Sequence, residues 1–344
     1  MPNYFALTRL ERLYLQMETT YGIVPNTAGT ATLVGGNACR HTKFSLDNVV
    51  NLINRPDKTG TRSAQVGVPG RCSAKWKAEM AVACNIAGAA PNMDCFVQAL
   101  MGQAGSVTNP LTATVDGGYH YGISDNVLSM SIYSFRQPAS EDQRVAQGAV
   151  VTSGTFMIGN DVYTAEFEGE AQWGNSSNQF SVQDTTQKGG LTAFPTEPTN
   201  PATIGNIIAG FTGTFTSGGV TVANLRTVTI KHVTNNTVVR DTFGSLYGTA
   251  PEGDERMVTV AFSLYEDDST GFANLIAAAN LKTPLTLIAK GGITSASICL
   301  HTLKGVQLEH PTRSEARRYI ADFPESRAHG SSLTARDEHT ISFF

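Results

Sequence analysis

The chain has 344 residues, of which 41% are hydrophobic and only 16% are charged, so it holds enough apolar side chain for a large core. Its net charge of −4 argues against a sequence-specific nucleic-acid-binding protein, because such proteins carry a basic face. The 33 Gly, 14 Pro and 40 Thr residues argue against a coiled coil or a helix bundle and favour strands. We therefore predict a mainly β protein, a β-sandwich or barrel with a few short helices.

Cysteine usage and hydropathy indicate the environment in which the chain folds. Five cysteines without a Cys-x-x-Cys pair argue against a disulfide framework or a zinc knuckle and indicate a reducing compartment. No apolar stretch reaches the ~18 residues of a membrane span. Residues 1–17 carry charges where a signal peptide needs an apolar core, so we expect no membrane partner.

The first elements follow from periodicity and turn signals. Apolar residues between Leu7 and Met17 recur at steps of three and four, which predicts a helix that begins after Thr8 and ends near Gly22. The dipeptide Pro69-Gly70 predicts the turn of a hairpin. The next predicted elements are strands over 62–68 and 72–83, a helix over 91–102, strands over 127–135, 145–158 and 161–173, and a loop over 185–205.

The second part of the chain repeats this plan. An alternating strand over 256–266 and a short helix over 270–279 follow a turn, and further strands are predicted over 220–233, 237–246, 285–289, 297–303 and 334–344. The repeat predicts two tandem similar halves, although β proteins also reuse this unit by chance. The expected organisation is an N-terminal helix and arm (1–36), a first β-rich half with a 149–173 hairpin (37–200), a second β-rich half (201–310) and a C-terminal arm or last strand (311–344).

The 161–173 strand carries the most distinctive pattern. Glu166, Glu168 and Glu170 lie at steps of two, so they share one face of the strand and form an acidic ladder. The opposite face is apolar and includes Tyr163 and Phe167. The ladder is either a plain exposed edge, whose charges prevent aggregation, or a surface with a function.

Four aromatic residues are predicted to serve packing, in the core or at an interface: Trp76, Tyr163, Phe167 and Trp173. No His-x-His, His-Glu-x-x-His, Gly-x-Ser-x-Gly or phosphate-loop pattern occurs, so we predict no catalytic residue, no metal site and no cofactor. The seven histidines are predicted to be isolated surface residues.

Several stretches together resemble one family. They are QMETTYGIVP (16–25), the segment 62–82, the segment 148–173 with its aromatic-Glu-Gly ending, and RMVTVAFSLYEDD followed by a short helix. This pattern resembles bacteriophage tail tube proteins, the major subunits of siphophage and myophage tails. The resemblance covers most of the chain, although the Arg- and Glu-rich part after Pro311 departs from the compact members.

The resemblance implies a structural virion protein rather than an enzyme. Its copies would form trimeric or hexameric rings that stack into the tail tube, assembled in the host cytoplasm, in contact with other tail proteins. Viral DNA would pass through the lumen without specific binding. On this interpretation Glu166, Glu168 and Glu170 face the lumen and repel the phosphate backbone. The alternatives are a distal tail or terminator ring protein and a carbohydrate-binding β-sandwich adhesin.

Overall fold

A computed structural model describes residues 11–25, 34–53, 67–85, 88–136, 142–159, 161–172, 181–182, 206–245, 247–294, 296–315, 317–332 and 335–344. The strands in chain order are β1 (Glu11–Met17), β2 (Ala38–Cys39), β3 (Lys43–Ile53), β4 (Val68–Ala81), β5 (Ala83–Cys84), β6 (Ser106–Thr108), β7 (Val115–Tyr121), β8 (Met130–Arg136), β9 (Asp142–Ile158), β10 (Thr164–Gln172), β11 (Ser181–Val182), β12 (Asn206–Ile207), β13 (Gly213–Ser217), β14 (Val220–Val222), β15 (Leu225–Val233), β16 (Thr237–Val239), β17 (Ala250–Glu252), β18 (Met257–Tyr265), β19 (Leu285–Gly291), β20 (Cys299–Val306), β21 (Thr312–Glu315), β22 (Tyr319–Ala328) and β23 (His339–Phe343). The helices are α1 (Asp94–Met101) and α2 (Thr270–Leu281).

The predicted mainly β fold is confirmed, and its strands form two large antiparallel sheets. The first sheet runs β3-β4-β10-β9-β15-β18-β22-β21, and its long strand β9 also pairs with β8, which continues through β1 to β2. The second sheet runs β14-β13-β19-β20-β23-β7-β6. The sheets pack face to face, because Phe215 of the second sheet lies with its ring 5.0 Å from that of Phe262 in the first.

Strands from both predicted halves build both sheets. In the first sheet β9 pairs with β15, and in the second β23 pairs with β7. The segment 311–344 contributes β21 and β22 to the first sheet and β23 to the second. One continuous core therefore joins residues from the whole described length of the chain.

Both short helices that were predicted after residue 90 are present. The helix α1 ends at Gly102, whose φ of 77° is the left-handed conformation that glycine adopts readily. The helix α2 begins after Ser269, whose side chain accepts a hydrogen bond from the backbone N–H of Phe272. The helices α1 (8 residues) and α2 (12 residues) are at or below the ~12–15 residues that an isolated helix needs in water, so both depend on packing against the sheets.

The predicted N-terminal helix is wrong. Its described part is β1, a strand that pairs with β8 on one side and β2 on the other. The residues Leu13, Tyr14 and Leu15 are all buried, because both faces of this strand are covered. A strand buried on both faces loses its alternation, so its apolar spacing resembles that of a helix. The predicted cap Thr8 lies outside the described residues.

The predicted turn at Pro69-Gly70 is also wrong. The strand β4 runs through both residues, and Pro69 lies opposite Leu52 of β3. On its other side β4 pairs with β10 only from Ala74 onward, so Pro69 lies where β4 has a single neighbour. Proline is tolerated at such an edge because its missing N–H has no ladder partner there.

Candidate functional site

The acidic ladder lies on the outward face of the first sheet. Along β10 the side chains alternate, with Ala165 and Phe167 buried and Glu166, Glu168 and Glu170 directed away from the core. The strand lies between β4 and β9, so the ladder occupies the middle of a sheet rather than an exposed edge. This position rules out the exposed-edge interpretation of the ladder.

The neighbouring elements supply cations and a hydroxyl to the ladder. Lys77 Nζ on β4 lies 2.7 Å from Glu166, and this hydrogen bond raises the pKa of Lys77. Arg240 lies 2.6 Å from Glu170, and Ser153 Oγ donates to Glu168 at 2.7 Å. Two of the three carboxylates therefore form ion pairs and the third accepts a hydrogen bond from a hydroxyl, so the ladder is not a purely acidic surface.

Reversing the ladder is expected to destabilise the fold. Changing Glu166, Glu168 and Glu170 to Lys removes the contacts with Lys77 and Arg240 and sets lysines against lysines of β4. We expect the free energy of unfolding in urea to fall by about 2 kcal/mol. The matched triple Gln variant removes the ion pairs without like-charge repulsion and should lose about half as much. Equal stabilities for the two variants would show that like-charge repulsion contributes nothing, and a Gln variant as stable as the unaltered protein would show that the ion pairs contribute nothing.

Three of the four predicted packing aromatics lie in the core. The rings of Trp76 and Phe167 both stack on Phe96 of α1, with centroids 5.4 and 5.1 Å apart. Tyr163 is fully buried, and its hydroxyl contacts the ring of His301. Trp173 lies outside the described residues.

The outer parts of β3 and β4 form a two-stranded projection, which we call the ribbon (residues 49–53 and 68–73). It extends beyond the last pair of β4 with β10, Ala74 with Ala171. At ~3.3 Å per residue the six residues of β4 beyond that pair span ~20 Å. Apolar side chains of the ribbon are exposed, with Leu52 at 64% and Ile53 at 58%.

A cleft lies at the opposite end of the strands, which we call the end cleft. Its volume is about 380 Å³, and its lining is mixed: the apolar residues include Ile158, Phe211 and Phe215, and the polar ones include Asn224, Arg226 and Lys290. Ile158 ends β9 and Thr164 begins β10 at the end of the strands away from the ribbon, since Thr164 pairs with Ala81 of β4.

An exposed apolar patch continues the surface of the end cleft. Val162 and Ala209 form an isolated bridge. Ile207 lies two residues before Ala209, so in an extended chain the two side chains point to the same side. Phe211, which lines the cleft, is 75% exposed and Ile207 is 63% exposed. The sheet thus carries exposed apolar groups at both of its ends.

The prediction that the histidines are isolated surface residues is wrong for four of the seven, because His120, His232, His301 and His339 are buried. Three of them form a chain between the sheets, which we call the histidine chain. His301 Nδ1 lies 2.9 Å from His339 Nε2, and His339 Nδ1 lies 3.4 Å from His232 Nδ1. Burial holds the pKa of His301 and His232 well below the ordinary value and lowers that of His339 to about 3.

The histidine chain is a structural contact rather than an open site. His301 forms one end of the histidine chain, and its ring contacts the hydroxyl of Tyr163. Cys299 Sγ lies 3.4 Å from His301 Nε2. Burial raises the pKa of the Cys299 thiol, which keeps it protonated and unreactive. The nitrogen His232 Nε2 has no hydrogen-bond partner within the described part of the protein.

Metal and membrane features can be assessed over the described ranges. Among those residues, no group of three or more His, Cys, Asp or Glu side chains could hold a metal ion. No helix in the described part of the chain is long and apolar enough to cross a membrane. The five cysteines are free thiols, and burial raises the pKa of Cys84 to about 12.

Comparison with known proteins gives no family assignment. No family model matches the sequence, and no curated protein is significantly similar to it. The function is therefore inferred from the surfaces described above.

Proposed function

We propose that this chain is a structural subunit that self-assembles head to tail, in the manner of the phage tail tube proteins that its sequence resembles. The observation that carries the proposal is the ribbon, which leaves one end of the sheet with exposed apolar side chains. A two-stranded ribbon has marginal stability alone in water. Its apolar residues favour a partner that covers them.

The end cleft makes a second copy of the chain the fitting partner. The cleft is lined by both apolar and polar groups, among them the exposed ring of Phe211, and lies at the end of the strands opposite the ribbon. When the ribbon of one copy enters the cleft of the next, the pair keeps one free cleft at one end and one free ribbon at the other. Such a heterologous contact repeats without closing and produces a stack.

The stack would form the wall of a tube. On this proposal copies within a ring lie side by side, and the ladder of Glu166, Glu168 and Glu170 faces the lumen. Because Lys77 and Arg240 offset two of the three carboxylates, the wall would repel DNA weakly rather than strongly. Location in the virion tail and contact with other tail proteins belong to the same proposal.

The test is to place charge on the ribbon. The double variant Leu52→Asp, Ile53→Asp should remain as single subunits or single rings, whereas the unaltered chain forms stacks. Burial of two carboxylates in an apolar cleft is unfavourable, so assembly should be lost at concentrations at which the unaltered chain polymerises. Sedimentation velocity and negative-stain microscopy measure the difference.

The control is Leu281→Asp at the end of α2, where Leu281 is 77% exposed and lies outside both surfaces. This variant should assemble normally. Normal stacks from the ribbon variant would rule out the ribbon as the contact. An unaltered chain that stays monomeric at high concentration would overturn the self-assembly proposal itself and favour an adhesin.

A further inference from the structure

Two arginines converge on one tyrosine beside the end cleft. The guanidinium of Arg226 lies 5.4 Å from the ring centre of Tyr265, and that of Arg318 lies 5.5 Å from it. Arg226 also lines the end cleft. Contact with an aromatic ring holds a guanidinium in place, so less side-chain entropy is lost when it binds a ligand.

The arginines of this cluster are not satisfied by nearby carboxylates. Glu266 is occupied by Arg313 at 2.6 Å, and Asp267 accepts hydrogen bonds from Asn224 and Ser269. Over the ranges that the structure describes, neither Arg226 nor Arg318 lies within ion-pair distance of an acidic group. Guanidinium groups without an anion are suited to bind carboxylates, since their N–H groups donate two hydrogen bonds to one carboxylate.

A matching acidic pair lies at the other end of the same strand. Glu252 and Asp254 are exposed and precede Met257, the first residue of β18, whereas Tyr265 is its last residue. Neither acid is paired with a cation among the described residues. The nine residues of β18 separate the two groups by ~30 Å. The basic cluster and the acidic pair therefore lie at opposite ends of β18, as a head-to-tail contact requires.

We propose that Arg226 and Arg318, held on Tyr265, form a clamp that binds Glu252 and Asp254 of the next copy in the stack. The proposal rests on the proposed self-assembly and adds the polar part of the same contact. The ribbon and end cleft supply apolar area, while the clamp supplies register, because opposite charges at an interface select one relative position of the two copies.

The first test compares two neighbouring arginines. Arg318→Glu should raise the concentration needed for stacking about tenfold, because it turns an attraction into a repulsion. Arg317→Glu makes the same change of charge one residue away, at an exposed arginine that contacts no aromatic ring among the described residues, and should leave stacking unchanged. Equal effects of the two substitutions would overturn the clamp.

The second test restores the charge pair. The combined variant Arg226→Glu, Arg318→Glu should not stack alone, and adding Glu252→Arg and Asp254→Arg to the same chain should restore stacking. Failure of this rescue, with the four-substitution chain folded by circular dichroism, would overturn the pairing with these acids. If the clamp variants stack normally and the ribbon variant does not, the clamp fails while the proposed function stands.

Discussion

Lowering the pH from 7 to 5 is expected to reduce the free energy of unfolding by about 6 kcal/mol through the histidine chain alone. His232, His301 and His339 are buried, and burial lowers the pKa of each in the folded state. Natural domains have a total stability of about 5–15 kcal/mol. The loss is therefore large enough to unfold an average domain or leave it marginal.

The sign follows from where protons bind. Above pH 6.5 these histidines are neutral in both states, so they add no pH dependence. Below pH 6.5 the unfolded chain takes up protons, whereas burial holds the folded-state pKa of His232 and His301 well below that value and that of His339 at about 3. Stability therefore falls as the pH decreases through this window, by about 1.4 kcal/mol per pH unit for each histidine.

The surroundings of the histidine chain provide nothing to stabilise an added proton. Tyr163 and Cys299 contact His301, and the charged group that acts on His232 is the cation of Arg256. Within the described part of the protein, no carboxylate contributes to the pKa of any of the three. Protonation in the folded state thus opposes burial without a compensating ion pair.

The measurement is urea unfolding of the full chain at pH 7 and pH 5. His232→Asn keeps a hydrogen-bonding group toward His339 Nδ1 but cannot titrate, so it should reduce the loss of stability by about 2 kcal/mol. His329→Asn, at an exposed histidine, should leave the loss unchanged. A pH dependence that is the same in all three proteins would show that other groups cause it.

Local sequence patterns correctly predicted a strand with one more-buried face and a helix that ends at a glycine. The strand β18 alternates because one of its faces is buried more than the other, and α1 ends at Gly102 because glycine takes the left-handed conformation there. The spacing in β1 resembles that of a helix because both of its faces are buried, with Leu13 and Leu15 in one apolar cluster and Tyr14 in another. Whether a strand has one covered face or two depends on the other strands, which local spacing does not contain.

Features that bring together residues distant in the sequence could not be predicted. The histidine chain unites positions 232, 301 and 339, which lie on three strands of two sheets. The clamp joins Arg226 to Arg318 across 92 positions, and the ribbon was hidden because Pro69-Gly70 resembles a turn. The ladder of Glu166, Glu168 and Glu170 was predicted from period two, but its balancing cations come from β4 and from Arg240.

Replacing Gly169 by Ala is expected to lower the free energy of unfolding by about 3 kcal/mol, with no charge or hydrogen bond removed. Gly169 lies in the middle of β10, where the register with β9 shifts at a β-bulge. A Cβ there would overlap the backbone oxygen of Val150 and press on the ring of Trp76. Because a backbone group in a paired strand cannot move away cheaply, the bulge itself must deform.

Thermal and urea unfolding of three variants test this expectation. Gly159→Ala is the matched control, because a Cβ there has no neighbour within 4 Å, and it should change stability by less than about 0.5 kcal/mol. Adding Trp76→Phe to Gly169→Ala removes the ring contact but not the overlap with Val150, so it should not restore stability. Full rescue by Trp76→Phe would show that the ring, not the bulged backbone, requires glycine at this position. A Gly169→Ala protein as stable as the control would mean that β10 and β9 do not approach as closely as this register demands.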